Sequence, residues 1–258
     1  MPATSPSKFI RIQESVGRWF GLIVFVGVTL RTAFAMPSLD GPTVAIVRWA
    51  LLTSLFVLFT LAYLRRPPAN ALASRPVEIL LPLLVIVLPS FQAGAPQVIY
   101  NLARNSDAWA SVVKGLFRQI GSGIGDIASL SGMALGEAFA VYSMLYLGRS
   151  FSVFAEARTL VTRGPYRYVR HPLYLGEMIA VWSYTLAYPS RWSLGVTLLF
   201  TVLQTWRAKV EERKLLQHFP EYTTLREQTG FLWPRVRRQH MKDQMSALAQ
   251  IPHQEKNR

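Results

Sequence analysis

Six stretches of this 258-residue chain are dominated by apolar side chains, over residues 19–35, 43–64, 77–92, 122–147, 173–188 and 192–206. A hydrocarbon layer about 30 Å thick is crossed by roughly 20 helical residues. The pattern therefore predicts an all-α, polytopic membrane protein with about six transmembrane helices. The first, third, fifth and sixth stretches are short for a straight span and are expected to extend into their flanks. The third is interrupted by Pro82 and Pro89 and followed by Pro96, whose broken helical hydrogen bonds need compensation inside the protein. Only Pro189, Ser190 and Arg191 separate the last two stretches, so these form an antiparallel hairpin. Three units follow: about four spans over 1–147, a polar segment with the hairpin over 148–235, and a basic tail over 236–258. No repeat of 20–50 residues is visible.

Charge sharpens the topology. The chain is 51% hydrophobic and 16% charged, with a net charge of +14 and no cysteine. A disulfide scaffold, a thiolate metal site and a cysteine nucleophile are excluded. Three Lys and Arg precede the first stretch, three follow the second, five lie between the fourth and fifth, and eleven fall in 207–258. That places twenty-two on one side of the membrane against four on the other, with Arg31 and Arg48 inside spans. Both termini are expected in the cytosol. Because the basic residues alternate with topology instead of forming one stripe, nucleic acid is not an expected partner. The opening residues, polar and mixed from Lys8 to Arg18, do not read as a cleavable signal.

The chemistry concentrates after Gly148, where five arginines are interleaved with aromatics ahead of the fifth stretch. In His171-Pro172 the proline favours a first helical position and pushes the residue before it out of the α region, so a helix is expected to start at Pro172 with His171 near its cap. Tyr166, Arg170 and His171 would then stand at a positive helix terminus. Tyr174 and Glu177, three apart, share a face, and Gly176 permits close approach. Glu177 and Glu137 read as interhelical polar bonds or, for Glu177, as a catalytic acid or base. Arg31 and Arg48 are expected to snorkel or to pair with these acids. Further on, Arg207 and Glu211 share a helix face, and spacing alone makes Glu211-Glu212-Arg213-Lys214 a solvated surface.

The string LVTRGPYRYVRHPLYLGE, a hydrophobic hairpin, a Glu-Glu pair and HFPEY together resemble the isoprenylcysteine carboxyl methyltransferase family and its relatives, the membrane phospholipid methyltransferases, over about residues 148–235. The resemblance implies S-adenosylmethionine as cofactor, held by Arg158, Thr159, Leu160, Val161, Tyr166, His171, Pro172, Leu173, Tyr174 and Glu211. It also implies that Arg207 faces the methyl acceptor. No metal is expected. The family often has a histidine where Arg158 stands.

An isoprenylcysteine-like carboxylate oriented by Arg207 would need no general base, since cation and anion neutralise one another at the transition state. The amine of phosphatidylethanolamine would have to lose a proton to Glu177 or Glu211. Either acceptor, a lipophilic or lipidated molecule, is expected to enter from the bilayer among membrane lipids while the cofactor comes from the cytosol. The protein is expected in the plasma (inner) membrane of a bacterium or the endoplasmic reticulum of a eukaryote. Oligomeric state is not readable. A sterol reductase using NADPH carries a similar Arg-His-Pro element, but with Asn and Asp where Leu173 and Glu177 stand. A transporter or sensor is the non-enzymatic alternative.

Overall fold

The computed structural model describes residues 8–34, 36, 42–65, 73, 75–103, 107–121, 123–150 and 160–235. The tail expected over 236–258 lies outside them. The described residues contain eight α-helices: α1 (Lys8–Phe34), α2 (Thr43–Leu64), α3 (Pro76–Ala103), α4 (Asp107–Phe117), α5 (Asp126–Leu147), α6 (Pro172–Ala187), α7 (Arg191–His218) and α8 (Tyr222–Gln228). They contain no strand, only two isolated bridges.

The α6–α7 hairpin is closed as its sequence requires. Ser190 is the N-cap of α7, its hydroxyl accepting from the Ser193 amide at 3.0 Å while the Ser193 hydroxyl accepts from the Ser190 amide at 2.9 Å. These reciprocal bonds satisfy two donors that a helix start leaves unpaired. Pro172 occupies the first turn of α6, where its missing donor costs nothing. The closest packing joins α5 to α6 through small residues four apart, Gly132, Gly136 and Ala140 against Gly176, Ala180 and Ser183. A Cβ on Gly136 would stand 2.6 Å from the Ala180 amide nitrogen, and one on Gly176 would stand 2.6 Å from the Ala140 nitrogen. Backbones this close maximise dispersion contacts, the main attraction available between helices in lipid.

Two apolar clusters fill the interior. Phe25, Leu55, Phe59, Tyr63, Ala140, Met144, Leu173, Tyr174 and Ala208 tie α1, α2 and α5 to the hairpin, and Leu81, Val85, Met178, Phe200 and Val210 tie α3 to it. Polar links fasten α3 to α7 at both ends: Lys214 Nζ lies 2.7 Å from Glu78 Oε2, and the Gln92 amide donates to Thr197 and to Thr185.

Helices α2 and α5 are long and apolar enough to cross a membrane, and shorter apolar stretches occupy Trp19–Phe34, Pro76–Pro89 and Ala108–Phe117. Ile23, Leu30, Leu135, Leu145, Leu198 and Val202 face outward, an apolar exterior suited to hydrocarbon. The expected six spans are thus matched by length and composition at two helices; α6 has only 16 residues and α7 carries charges along its second half. Helix α3 runs unbroken through Pro82, Pro89 and Pro96, beyond the expected 77–92. The seven-residue spacing sets Pro82 and Pro89 on one face, and Pro82 is fully buried, so packing outweighs the lost helical bonds. Helix α4 lies between the third and fourth apolar stretches. Arg48 pairs with neither Glu137 nor Glu177: its guanidinium lies 2.9 Å from Asp126 and 2.6 Å from Ser129, over the Tyr188 ring. These partners are the first turn of α5 and the C-terminus of α6, one membrane level away from the two glutamates. Arg31 lies over the Phe91 ring.

Candidate active site

The approach to α6 is a tightly folded loop. A 3-10 turn, Gly164–Arg167, starts at a glycine with φ +57°, where a Cβ would also strike the Tyr146 ring. Beyond it the chain pairs with the segment after α8: the Arg170 amide donates to the Gly230 carbonyl at 2.9 Å and the His171 amide to the Phe231 carbonyl at 3.2 Å. This pairing satisfies two backbone donors just ahead of α6. His171 is at the N-cap of α6 as expected, yet its ring makes no capping bond. The imidazole stacks on Tyr174 at 5.4 Å, meets Phe231 edge-on, and brings Nε2 to 3.3 Å from Glu212.

Five polar side chains converge between α6 and α7. The Tyr174 hydroxyl donates to Glu211, and Arg207 Nε donates to the same carboxylate oxygen at 3.2 Å. The Arg207 guanidinium also lies 4.8 Å from the Tyr174 ring centroid, a cation–π contact strengthened by burial. One turn deeper, the Gln204 amide donates to Glu177. The i, i+3 spacing of Tyr174 and Glu177 therefore does present both to α7. Tyr166 is buried on the loop side; burial, then the charges of Glu211 and Glu177, push its phenol well up, so it stays neutral.

Of the expected cofactor residues, Tyr166, His171, Tyr174 and Glu211 are brought together. Pro172 and Leu173 are buried beside them, Leu173 in the core with Ala140 and Ala208. Leu160 and Val161 are half-buried before the turn, and Arg158 and Thr159 lie outside the described residues.

Glu212 and Lys214 are buried, which corrects the solvated surface that spacing alone predicts for residues 211–214. Arg170 Nε reaches Glu212 at 2.5 Å, and its Nη1 donates to the carbonyls of Arg226 and Thr229. Burial pushes the Glu212 carboxyl up, but hydrogen bonds from His171 and Arg170, with their charges, override it and hold the group at about 2. Arg170 is thus a brace between the loop, α7 and the segment after α8. The adjacent glutamates were visible in the sequence; that they point to opposite partners was not.

Beneath this group a cavity opens between α2, α3, α5, α6 and α7. Leu55, Phe59, Ile86, Met133, Val181 and Phe200 make its wall apolar, and Glu137, Glu177 and Arg207 stand in it as well. Arg207 is 5% exposed and Glu137 6%. The interhelical bond expected of Glu137 is absent among the described residues: no hydrogen bond or ion pair joins it to any of them.

The profile of the phospholipid methyltransferase family matches residues 125–221. The match starts with α5, includes the loop and the α6–α7 hairpin, and stops at Glu221, so it takes in every residue of the convergent group. The chain is also 28% identical over 165 residues to the cobalt-zinc-cadmium resistance protein CzcN of Cupriavidus metallidurans, over 58% of this chain and 74% of that protein. Residues 125–221, less than half of the chain, are thus similar to the isoprenylcysteine and phospholipid methyltransferase group.

Proposed function

We propose that the protein uses S-adenosylmethionine to methylate the polar head of a lipophilic acceptor drawn from the bilayer. The observation that carries this reading is the junction at Arg207. There an apolar cavity meets a half-buried carboxylate, Glu211, whose side chain keeps 21% of its surface open. A partly exposed carboxylate between Tyr174 and Arg207, beside a buried neutral phenol and a stacked imidazole, suits a ligand with hydroxyl or ammonium donors and a flat base. Glu211, Tyr174, Tyr166 and His171 would hold the cofactor, with Arg158, Thr159, Leu160, Val161, Pro172 and Leu173 completing its surroundings.

Bound there, the cofactor supplies a methyl group on a cationic sulfur, and transfer to a carboxylate oxygen makes an ester and leaves a neutral thioether. The chain's own part is placement. Arg207, fixed by Glu211 and the Tyr174 ring, would orient an acceptor carboxylate through its guanidinium. The apolar wall holds the lipophilic tail and excludes water, which would solvate the carboxylate and slow its attack. An isoprenylcysteine-like acid is the acceptor this arrangement favours. The two acids of the cavity, Glu137 and Glu177, support a second acceptor, the amine of a phosphatidylethanolamine-type lipid. Glu177 would take the proton that such an amine must lose. Six spans with both termini in the cytosol, as the charge distribution indicates, would give the cofactor a cytosolic entrance and the acceptor a lateral one.

Calorimetric titration of the detergent-purified protein with S-adenosylhomocysteine tests the cofactor site. Binding is expected, and is expected to be lost in Glu211→Ala and Tyr174→Ala. A folded protein that binds none would remove the reading. An Arg207→Ala variant assayed with a farnesylcysteine acid and with phosphatidylethanolamine separates the acceptors, loss confined to the acid being the expected result.

A further inference from the structure

Glu137 stands apart from every other buried acid of the described chain. Glu78 has Lys214, Glu212 has Arg170 and His171, Glu211 has Tyr174 and Arg207, and Glu177 has Gln204. Glu137 has none, although it is 94% buried by its 6% exposure and lines the cavity. A carboxyl inside an apolar membrane protein is expensive and is usually balanced by a donor. Its level is fixed by the α5–α6 contact. The neighbouring Gly136 packs between Gly176 and Ala180, so Glu137 stands at the height of Glu177, at the polar end of the cavity.

We propose that Glu137 is a specificity-determining residue that accepts a hydrogen bond from an N–H group on the acceptor, at or next to the atom that is methylated. The inference rests on the methyltransferase reading above and deepens it. Two carboxyls and one guanidinium form the polar end, and the guanidinium is matched by Glu211. Acceptor capacity is therefore left at Glu137, which lines the cavity, besides the buried Gln204 Oε1. An acid whose carboxylate goes to Arg207 and whose adjacent amide or amine N–H goes to Glu137 satisfies both groups. An aminolipid supplies the same N–H chemistry from another source. An acceptor bearing only a carboxylate and a tail leaves Glu137 unsatisfied, and a buried polar group left without its partner is the strongest means a site has of rejecting an analogue.

The test compares acceptors that differ at this group. Wild-type protein is assayed with N-acetyl-S-farnesylcysteine, with its desamino counterpart S-farnesyl-3-thiopropionate, and with phosphatidylethanolamine. The desamino acid is expected to show a KM on the order of tenfold higher than its N–H counterpart, with kcat less affected. In Glu137→Gln and Glu137→Leu the KM for the N–H acceptor should rise to meet that of the desamino acid, which itself should hardly change. Turnover of phosphatidylethanolamine alone, with the same sensitivity to Glu137, would keep the role of Glu137 and assign the N–H to an aminolipid. Equal KM values for the two acids in wild-type protein, without aminolipid turnover, would overturn the proposal, as would an equal loss for both in the variants. S-adenosylhomocysteine binding, measured in parallel, reports the underlying reading: if wild-type protein lacks it, the methyltransferase assignment fails, whereas its retention with no acceptor discrimination sinks only the role of Glu137.

Discussion

Glu212 shows how one buried charge can hold a site's surroundings without touching a substrate. Its carboxylate neutralises Arg170, whose guanidinium also bonds two carbonyls beyond α7, and it fixes the imidazole of His171. Removing one partner of such a pair leaves the other charge buried and costs about 3–5 kcal/mol. Glu212→Gln is therefore expected to lower the thermal midpoint of the purified protein at pH 7. The acid dependence gives an independent check. A carboxyl held at about 2 in the folded chain contributes stability that is complete above its unfolded pKa, about 4.3, and is lost as pH falls from there through about 2. Melting curves from pH 7 to pH 3 should accordingly fall more steeply for wild-type protein than for Glu212→Gln. Parallel curves would show that Glu212 is not the group responsible.

At the scale of elements, the joint between α5 and α6 carries the site, because it sets the height at which Tyr174 and Glu177 meet α7. Gly136→Ala places a methyl against backbone at 2.6 Å, where no side chain can move aside. A loss of about 1–3 kcal/mol is expected from such overpacking, together with a fall in methyl transfer as the helices separate. Gly195→Ala in α7 meets nothing within 4 Å and should be neutral or slightly stabilising, since alanine favours the helix by up to about 1 kcal/mol. Equal stability of the two variants would contradict the role given to the joint. This joint was partly legible beforehand: Gly176 beside Glu177 pointed to close approach, and His171-Pro172 marked the start of α6. The compensation expected inside the protein for the prolines of α3 is met by packing, since Pro82 is fully buried, while the length of the helix beyond residue 92 was not read. The pairing of Gly230 and Phe231 with the loop before α6 could not be read, since sixty residues separate the partners and backbone pairing leaves no side-chain pattern. For the same reason the sequence did not show that Glu137 has no hydrogen bond to any described residue.

On the scale of the whole molecule, α3 joins the first half of the chain to the α6–α7 hairpin by the Glu78–Lys214 pair at one end and the Gln92–Thr197 bond at the other. Between them lies the cavity wall of Val85, Ile86 and Pro89. A double-mutant cycle of Glu78→Gln and Lys214→Met should give a coupling energy of about 1–3 kcal/mol in thermal unfolding. Additivity would mean that the two charges are held by other partners. The absence of cysteine makes the orientation of this assembly directly measurable. Ile120 is half-exposed and its amide donates to the Pro189 carbonyl at the hairpin turn, while Arg235 is exposed beyond the Gly230 pairing at the start of α6. These positions bracket the 16 residues of α6, about 24 Å of helix. With twenty-two Lys and Arg expected on the side of the site, an impermeant maleimide applied to intact cells should label Ile120→Cys at once. Arg235→Cys should be labelled only after the membrane is opened. Labelling of both from the same side would show that the hairpin does not cross the bilayer, and the lateral entrance for the acceptor would fall with it.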